Sequence, residues 1–308
     1  MKTNSTFEKL CRMSQLGLKT YLKTALSDTH NKVIVEDGFI FAPGTFPVLL
    51  VAHLDTVHAR LPKKIKYNKM QGSISSPQGI GGDDRCGVYM ILEIIRRYNC
   101  SVLFCEDEEI GGVGASKFTE SEIAKDLSFN YIIELDRKGS NDAVFYDCDN
   151  YDFEKFITKE FYKTAFGSFS DISFIAPFLG CAAVNLSCGY YNAHMLSEYV
   201  VLNEMTNSIN AVCKILERTT DEDVYEYIPA KRTSWFGDCG WNDDDWYSAP
   251  SNTDKEYYFC IEYIDVGGRT EWDLVKGHSK AEAVGEFLMT HCELTFMDII
   301  DVDWGDAV

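Results

Sequence analysis

Short apolar runs alternate along the chain with stretches in which apolar residues return every three or four positions. Val48 to Ala52, Ser101 to Cys105 and Tyr131 to Leu135 are rich in Val, Ile, Leu and Phe and bounded by turn or charge signals. Runs that short and that continuous predict strands buried on both faces, as in a parallel sheet. Between them the spacing is helical: Cys86 to Arg97 is apolar at 88, 90, 91, 92, 94 and 95, and a shorter pattern covers Ala115 to Ala124. Further on, the pattern predicts a helix over Tyr151 to Thr164, a strand over Ala182 to Leu186 and a helix over Ser197 to Glu217. Phe7, Leu10, Cys11, Met13, Leu16, Leu18, Tyr21 and Leu22 predict an amphipathic helix near the first residues. Strand and helix in alternation predict an α/β fold, a mostly parallel open sheet with helices on both faces.

Ligands bind such sheets beyond the carboxyl ends of the strands. Three of the apolar runs release a metal-binding residue there: AHLD at His53, DEEIGG at Glu109 and ELDRKG at Asp136. GGDDR at Asp83 and YNAHMLSE at His194 complete a set of two imidazoles and three carboxylates. That set suits two zinc ions sharing one carboxylate, and adjacent zinc ions polarise a carbonyl and make hydroxide from water at neutral pH. Alone, each motif has a plainer reading, since an H-x-D after a strand is commonly a satisfied histidine at a sheet edge and paired acids are commonly solvated loop charges. Jointly, and on these elements, they point to a metallohydrolase. His30, His278 and His291 lie away from the motifs and are expected at the surface. His58 falls on the loop leaving the first motif, and none of these four is assigned to metal.

VAHLDTV, GGDDRCGV, DEEIGGVGA, ELD and NAHMLSEYV stand in the order found in the co-catalytic dizinc exopeptidases and deacylases, the group of zinc aminopeptidases, aminoacylases and carboxypeptidase G, and the chain resembles that group over about residues 5 to 218. The resemblance implies the zinc-exopeptidase, phosphorylase/hydrolase-like fold. It implies two zinc ions, with cobalt or manganese as substitutes: His53 and Asp136 on one, Glu109 and His194 on the other, and Asp83 bridging. It makes Asp55 the residue that orients His53, Glu108 the general base, and the Asp83–Asp84 peptide cis. The activity implied is hydrolysis of a peptide or amide bond, as an aminopeptidase or small-peptide hydrolase. An N-acyl amino acid deacylase or carboxypeptidase is the alternative with the same chemistry, and a non-catalytic binding protein on the same fold the alternative of another kind. Only 58 positions separate Asp136 from His194, which leaves no room for the lid or dimerisation domain inserted there in aminoacylase-like and carboxypeptidase-like relatives. The interval from His53 to Asp83 is likewise too short for the insertion that builds tetrahedral aminopeptidase shells. The likeness is therefore to the lidless zinc aminopeptidases, and in place of a lid group Tyr190, Tyr191 or another nearby tyrosine is the candidate to stabilise an oxyanion.

At 308 residues the chain can bury a sizeable core. Of its net charge of −19, residues 221 to 308 carry −15. Nucleic acid is therefore not expected as a partner, because phosphate backbones need a basic face. A peptide or acylated amino acid is the expected substrate. No apolar stretch is long enough for a membrane span, and the first residues lack a signal-peptide core. Eleven cysteines without a C-x-x-C pair read as reduced thiols in a cytoplasmic protein. Domain boundaries are expected at 1–218 for the catalytic domain, 219–254 for an acidic linker carrying Trp235, Trp241 and Trp246, and 255–308 for an accessory module. In that module the pattern predicts strands at Tyr257 to Ile264 and Thr270 to Val275, a helix from Ser279 to about His291 and a last strand at Leu294 to Val302.

Overall fold

The computed structural model describes residues 5–167, 169–230, 257–264, 269–277, 287, 290, 291 and 299–307. The chain divides into two compact units, Met1–Arg232 and Thr233–Val308.

In the first unit the chain runs through α1 (Ser5–Cys11), α2 (Gln15–Leu26), β1 (Ile34–Glu36), β2 (Phe39–Ala42), β3 (Phe46–His53), β4 (Lys66–Asn68), β5 (Ser73–Ser75) and α3 (Gly82–Ile94). It continues with β6 (Cys100–Cys105), α4 (Val113–Glu120), β7 (Tyr131–Arg137), β8 (Asp142–Val144), α5 (Tyr151–Ile157) and β9 (Lys163–Thr164). The last elements are α6 (Ile172–Leu179), β10 (Ala183–Ser187), β11 (Tyr190–Tyr191), β12 (Tyr199–Val201) and α7 (Leu202–Arg218). Eight strands form one sheet in the order β1-β2-β6-β3-β7-β10-β8-β9, and β11-β12-β5-β4 form a second, smaller one. The inner pairs β6–β3, β3–β7 and β7–β10 are parallel.

The apolar runs become the inner strands because helices cover both faces of the sheet. Successive side chains of a strand point to opposite faces. In β3, Val48, Leu50 and Ala52 enter one core, shared with Leu18 and Leu22 of α2, Val88 and Ile91 of α3 and Val212 of α7. Leu49 and Val51 enter the other, shared with Phe118 of α4 and Ile172 and Ile175 of α6. From β3 the chain crosses through α3 to β6 on one side, then through α4 to β7 on the other. The ends of β6, β3 and β7 thus flank the point where the winding reverses, where such sheets bind ligands.

Several details differ from the sequence expectation. The predicted N-terminal helix is two helices, because Ser14 caps α2 by accepting a hydrogen bond from Gly17 N–H at 3.2 Å. The helix predicted to Thr164 ends at Ile157, and Lys163–Thr164 pairs as β9. His30 is buried, 5% exposed, with Nε2 2.8 Å from the Cys100 carbonyl oxygen. It had been expected at the surface. The segment after α7 does not start a linker at residue 219. Tyr225 N–H donates to Asn130 O (2.8 Å), Ala182 N–H to Tyr225 O (2.9 Å) and Ala230 N–H to Asp147 O (2.8 Å). The Tyr225 ring packs on Phe153 and Phe156 at centroid separations of 5.2 and 5.3 Å. Residues 219–230 therefore belong to the first unit, and the rest of the expected linker, with its three tryptophans, lies outside the described residues.

In the second unit β13 (Tyr257–Ile264) pairs antiparallel with β14 (Thr270–Gly277) and with β15 (Ile299–Ala307). The last strand lies later than the predicted Leu294 to Val302. Residues 287 and 290 are helical, and the remainder of the helix predicted from Ser279 lies outside the described residues.

Candidate metal centre

Five groups from five segments meet at the carboxyl ends of the inner strands. His53 is the last residue of β3, and Glu109 follows β6 on a loop entered through Asp107 at φ 61°. Asp136 lies near the end of β7. Asp83 precedes the regular turns of α3, beyond Gly81 at φ 67° and next to a cis Asp83–Asp84 peptide. His194, at φ 65°, sits between β11 and β12.

Asp83 spans the centre. Its Oδ1 lies 3.0 Å from His53 Nε2 and its Oδ2 3.3 Å from His194 Nε2. Glu109 Oε2 is 3.1 Å from His194 Nε2, and Asp136 Oδ1 is 3.3 Å from His53 Nε2. Behind them Asp55 Oδ1 lies 3.0 Å from His53 Nδ1, and its carboxylate accepts the Glu108 and Glu109 N–H groups at 3.0 and 3.1 Å. One carboxylate thus sets both the imidazole and the loop that carries the two glutamates.

The centre is crowded with negative charge. Burial alone would depress the His53 imidazole, but Asp136, Asp55 and Asp83 outweigh it and hold it well above its ordinary value. Hydrogen bonds to Asp83 and Glu109 raise His194 to about 10. Burial, reinforced by Asp83 and opposed by His53, pushes Asp136 up to about 7. Burial raises Glu108 to about 9 against the pull of His53, with Asp136, Asp171 and Asp83 adding to the rise. His53 Nε2 is committed to Asp83, so Asp136 Oδ1 stays buried without a donor, as does Glu109 Oε1. Converging carboxylates with orphaned oxygens and two imidazoles are the donor set of a borderline divalent cation. The residues present fit a metal pair. Asp84 also comes within reach of His53 and Asp136. Its oxygens, however, take Gly87 N–H at 2.8 Å and His53 N–H at 3.3 Å, so it caps the helix and supports the strand end instead.

Other supports are given no role by the motifs. Asn185 Oδ1 accepts the Asp136 N–H at 2.9 Å, and its Nδ2 reaches the Tyr146 hydroxyl oxygen at 3.0 Å. Buried Arg85 donates to the carbonyl oxygens of Leu54 (2.8 Å) and Asp55 (3.0 Å), holding the chain behind the His53 loop. Lys19 and Gln15 of α2 bind Glu106 at 2.5 Å and Asp107 at 2.9 Å, just before Glu108. All of these partners are remote in sequence, so no local spacing announces them. The tyrosines considered for an oxyanion are both engaged: Tyr190 donates to the Asp136 carbonyl oxygen at 2.7 Å and Tyr191 to Glu204 Oε2 at 2.6 Å.

No family model and no curated protein matches the sequence. Among solved structures, the chain is similar to the aminopeptidase PepT from Bacillus cereus, at 15% identity and TM-score 0.58, over 69% of this chain and 96% of that one. It is similar to an aminopeptidase from the archaeon Desulfurococcus kamchatkensis at 14% identity and TM-score 0.58, over 74% and 98%. A tripeptidase from Staphylococcus aureus gives 13% identity and TM-score 0.55 over 69% and 96%. The chain has the fold of these peptidases.

Proposed function

We propose that this protein is a metal-dependent peptide hydrolase, an aminopeptidase or small-peptide hydrolase, with Glu108 as its general base. The observation that carries the reading is the convergence of His53, Asp83, Glu109, Asp136 and His194 around an orphaned pair of carboxylate oxygens. The activities of the structural neighbours, aminopeptidase and tripeptidase, support it.

In this reading His53 and Asp136 would hold one zinc and His194 and Glu109 the other, with the Asp83 carboxylate available to both. Zinc bound there would polarise the scissile carbonyl and lower the pKa of water. Asp55 fixes the His53 ring with Nε2 turned inward, as a carboxylate beside a ligating imidazole does. Glu108 is held through its backbone, its N–H donating to Asp55 and its carbonyl oxygen accepting the Gly111 and Gly112 N–H groups at 2.9 Å, and its side chain would take a proton from water and return it to the leaving amine. Its burial among carboxylates favours proton uptake. The eight cysteines of the first unit are buried and free, which supports a reducing, cytoplasmic setting. No helix among the described residues is long and apolar enough to cross a membrane.

The deacylase or carboxypeptidase alternative has the same chemistry and differs in whether the site receives a free amine or a free carboxylate. Metal analysis of the purified protein tests the class: about two ions per chain support catalysis, and none at saturating zinc would favour a binding protein. Amino-acid anilides assayed beside N-blocked amino acids test the substrate, and turnover of the blocked set alone would transfer the reading to the alternative.

A further inference from the structure

Four residues beyond His194 the chain turns inward at Glu198, whose side chain is fully buried. Its Oε2 accepts the Gly81 N–H at 2.8 Å and its Oε1 the Asp83 N–H at 3.0 Å, so it holds the backbone on both sides of Gly82. His58 Nε2 lies 2.8 Å from the same Oε2, with its ring 6% exposed. No other cation is seen paired with this carboxylate among the described residues. A carboxylate taken wholly out of water is costly unless hydrogen bonds replace its hydration, and here three polar N–H or ring-nitrogen contacts do so. Glycines make the approach possible. A Cβ on Gly82 would lie 2.8 Å from Tyr190 Cβ and 3.2 Å from Glu198 Oε1, and one on Gly79 would run into the His58 ring.

The three segments joined at Glu198 are those that present His53, Asp83 and His194. His58 lies on the loop leaving β3, Gly81 to Asp83 is the turn into α3, and Glu198 ends the loop carrying His194. We propose that Glu198, braced by His58, is a positioning residue that sets Asp83 at the span between the two metal positions. The inference rests on the metal reading above. Without the carboxylate the Gly81 and Asp83 N–H groups lose their acceptor. The turn is then free to relax, and the two Asp83 oxygens are no longer held toward both imidazoles at once.

The test titrates the metal-free full chain with zinc alone by calorimetry, and measures the metal-free Tm in parallel. Glu198→Gln keeps the size but sets an amide NH2 against a backbone N–H or the His58 ring. Its zinc affinity is expected to fall by roughly 10- to 100-fold, the usual loss when a support behind metal ligands is removed. His58→Gln leaves the carboxylate in place and should show a smaller loss in the same direction, which keeps the test open if Glu198→Gln does not fold. The cobalt form of each variant should also show an altered visible spectrum, since the Asp83 oxygens would have moved. A role in folding alone would lower Tm while leaving zinc stoichiometry, zinc affinity and the cobalt spectrum as in the parent chain, and that result overturns the proposal. If the parent chain itself takes up no zinc, the metal reading fails and the clamp with it. Zinc uptake by the parent with identical isotherms for both variants sinks the clamp alone.

Discussion

Glu108 and Glu109 are neighbours in sequence but are held differently. Glu109 Oε2 faces His194, whereas the Glu108 carboxyl is buried among Asp136, Asp171 and Asp83. Glu108→Gln should therefore keep its metal and its fold and lower kcat by about 10²- to 10⁴-fold, the usual contribution of a general base. Metal content and turnover measured on one preparation check this, and unchanged kcat would remove Glu108 from its role. The same charges set the pH behaviour of the metal-free protein. His194 is raised from 6.5 to about 10 and Glu108 from 4.5 to about 9, so both keep protons in the folded state that the unfolded chain has lost. Where the folded state binds more protons, stability falls as pH rises. The window common to both groups runs from pH 6.5 to about 9. The His194 side chain is 57% exposed, so solvent screening makes its share the smaller. Zinc bound at His194 would displace its proton, because a ligating imidazole must be deprotonated, and the cation's charge would favour the ionised Glu108 carboxylate beside it. Tm of the chelated protein should thus decline across that window, zinc should remove the decline, and calorimetry in buffers of different ionisation enthalpy should show proton release on binding. A flat chelated profile would contradict the geometry.

At the scale of elements, the close seat of α3 on the sheet is what brings Asp83 to His53. Gly87 allows it. An added Cβ there would overlap the Leu135 carbonyl oxygen of β7 and sit 2.5 Å from Asp84 Oδ2, and neither group is the free end of a flexible side chain. Gly87→Ala should accordingly cost about 1 to 3 kcal/mol of stability, the range for overpacking a filled interior. Denaturant unfolding measures the loss, and a variant as stable as its parent would show that α3 has room to shift. The inner strands and α3 were legible in the sequence because uninterrupted apolar runs leave little choice but burial on both faces. The small strands were not. β4 and β5 have three residues each, too few for a period to register, and α6 hides because Ile172 to Leu179 is apolar almost all round and contains Pro177. The convergence of the candidate ligands was legible where position and residue type coincide, as for His53 and Asp136 near strand ends and Asp83 beside Gly82. The role of Glu198 was not, since its partner His58 is 140 positions away, although Glu198 itself stands inside the NAHMLSEYV motif read for His194.

The whole chain is two units, and its acidity is concentrated after residue 220, whereas the five groups of the candidate centre all lie before residue 200. The boundary between the units decides what a shortened protein can do. A cut after Arg218 would remove Thr219, whose hydroxyl lies 2.5 Å from that of Tyr131, and Tyr225, whose ring covers Phe153 and Phe156. It would also strip the backbone partners of Asn130, Ala182 and Asp149, which Tyr225 and Ile228 now supply. Tyr225 is half-buried, so its loss costs less than the about 3 to 5 kcal/mol of a fully buried aromatic, but the uncovered Phe153 and the orphaned backbone groups add to it, together a large part of the stability of an ordinary domain. The protein ending at Arg218 should therefore be poorly folded. The protein ending at Arg232 keeps all of these contacts and every group of the centre. It should fold, bind zinc with the stoichiometry of the full chain and retain the fold seen here for residues 5–230. Circular dichroism, thermal unfolding and metal analysis of the two truncations side by side check this. Equal folding of both would show that residues 219–232 are dispensable. Failure of the Arg232 form would show that the second unit is needed for the first to stand. If the Arg232 form binds zinc normally but shows a raised KM at unchanged kcat, the second unit supplies substrate contacts made equally in the ground state and the transition state.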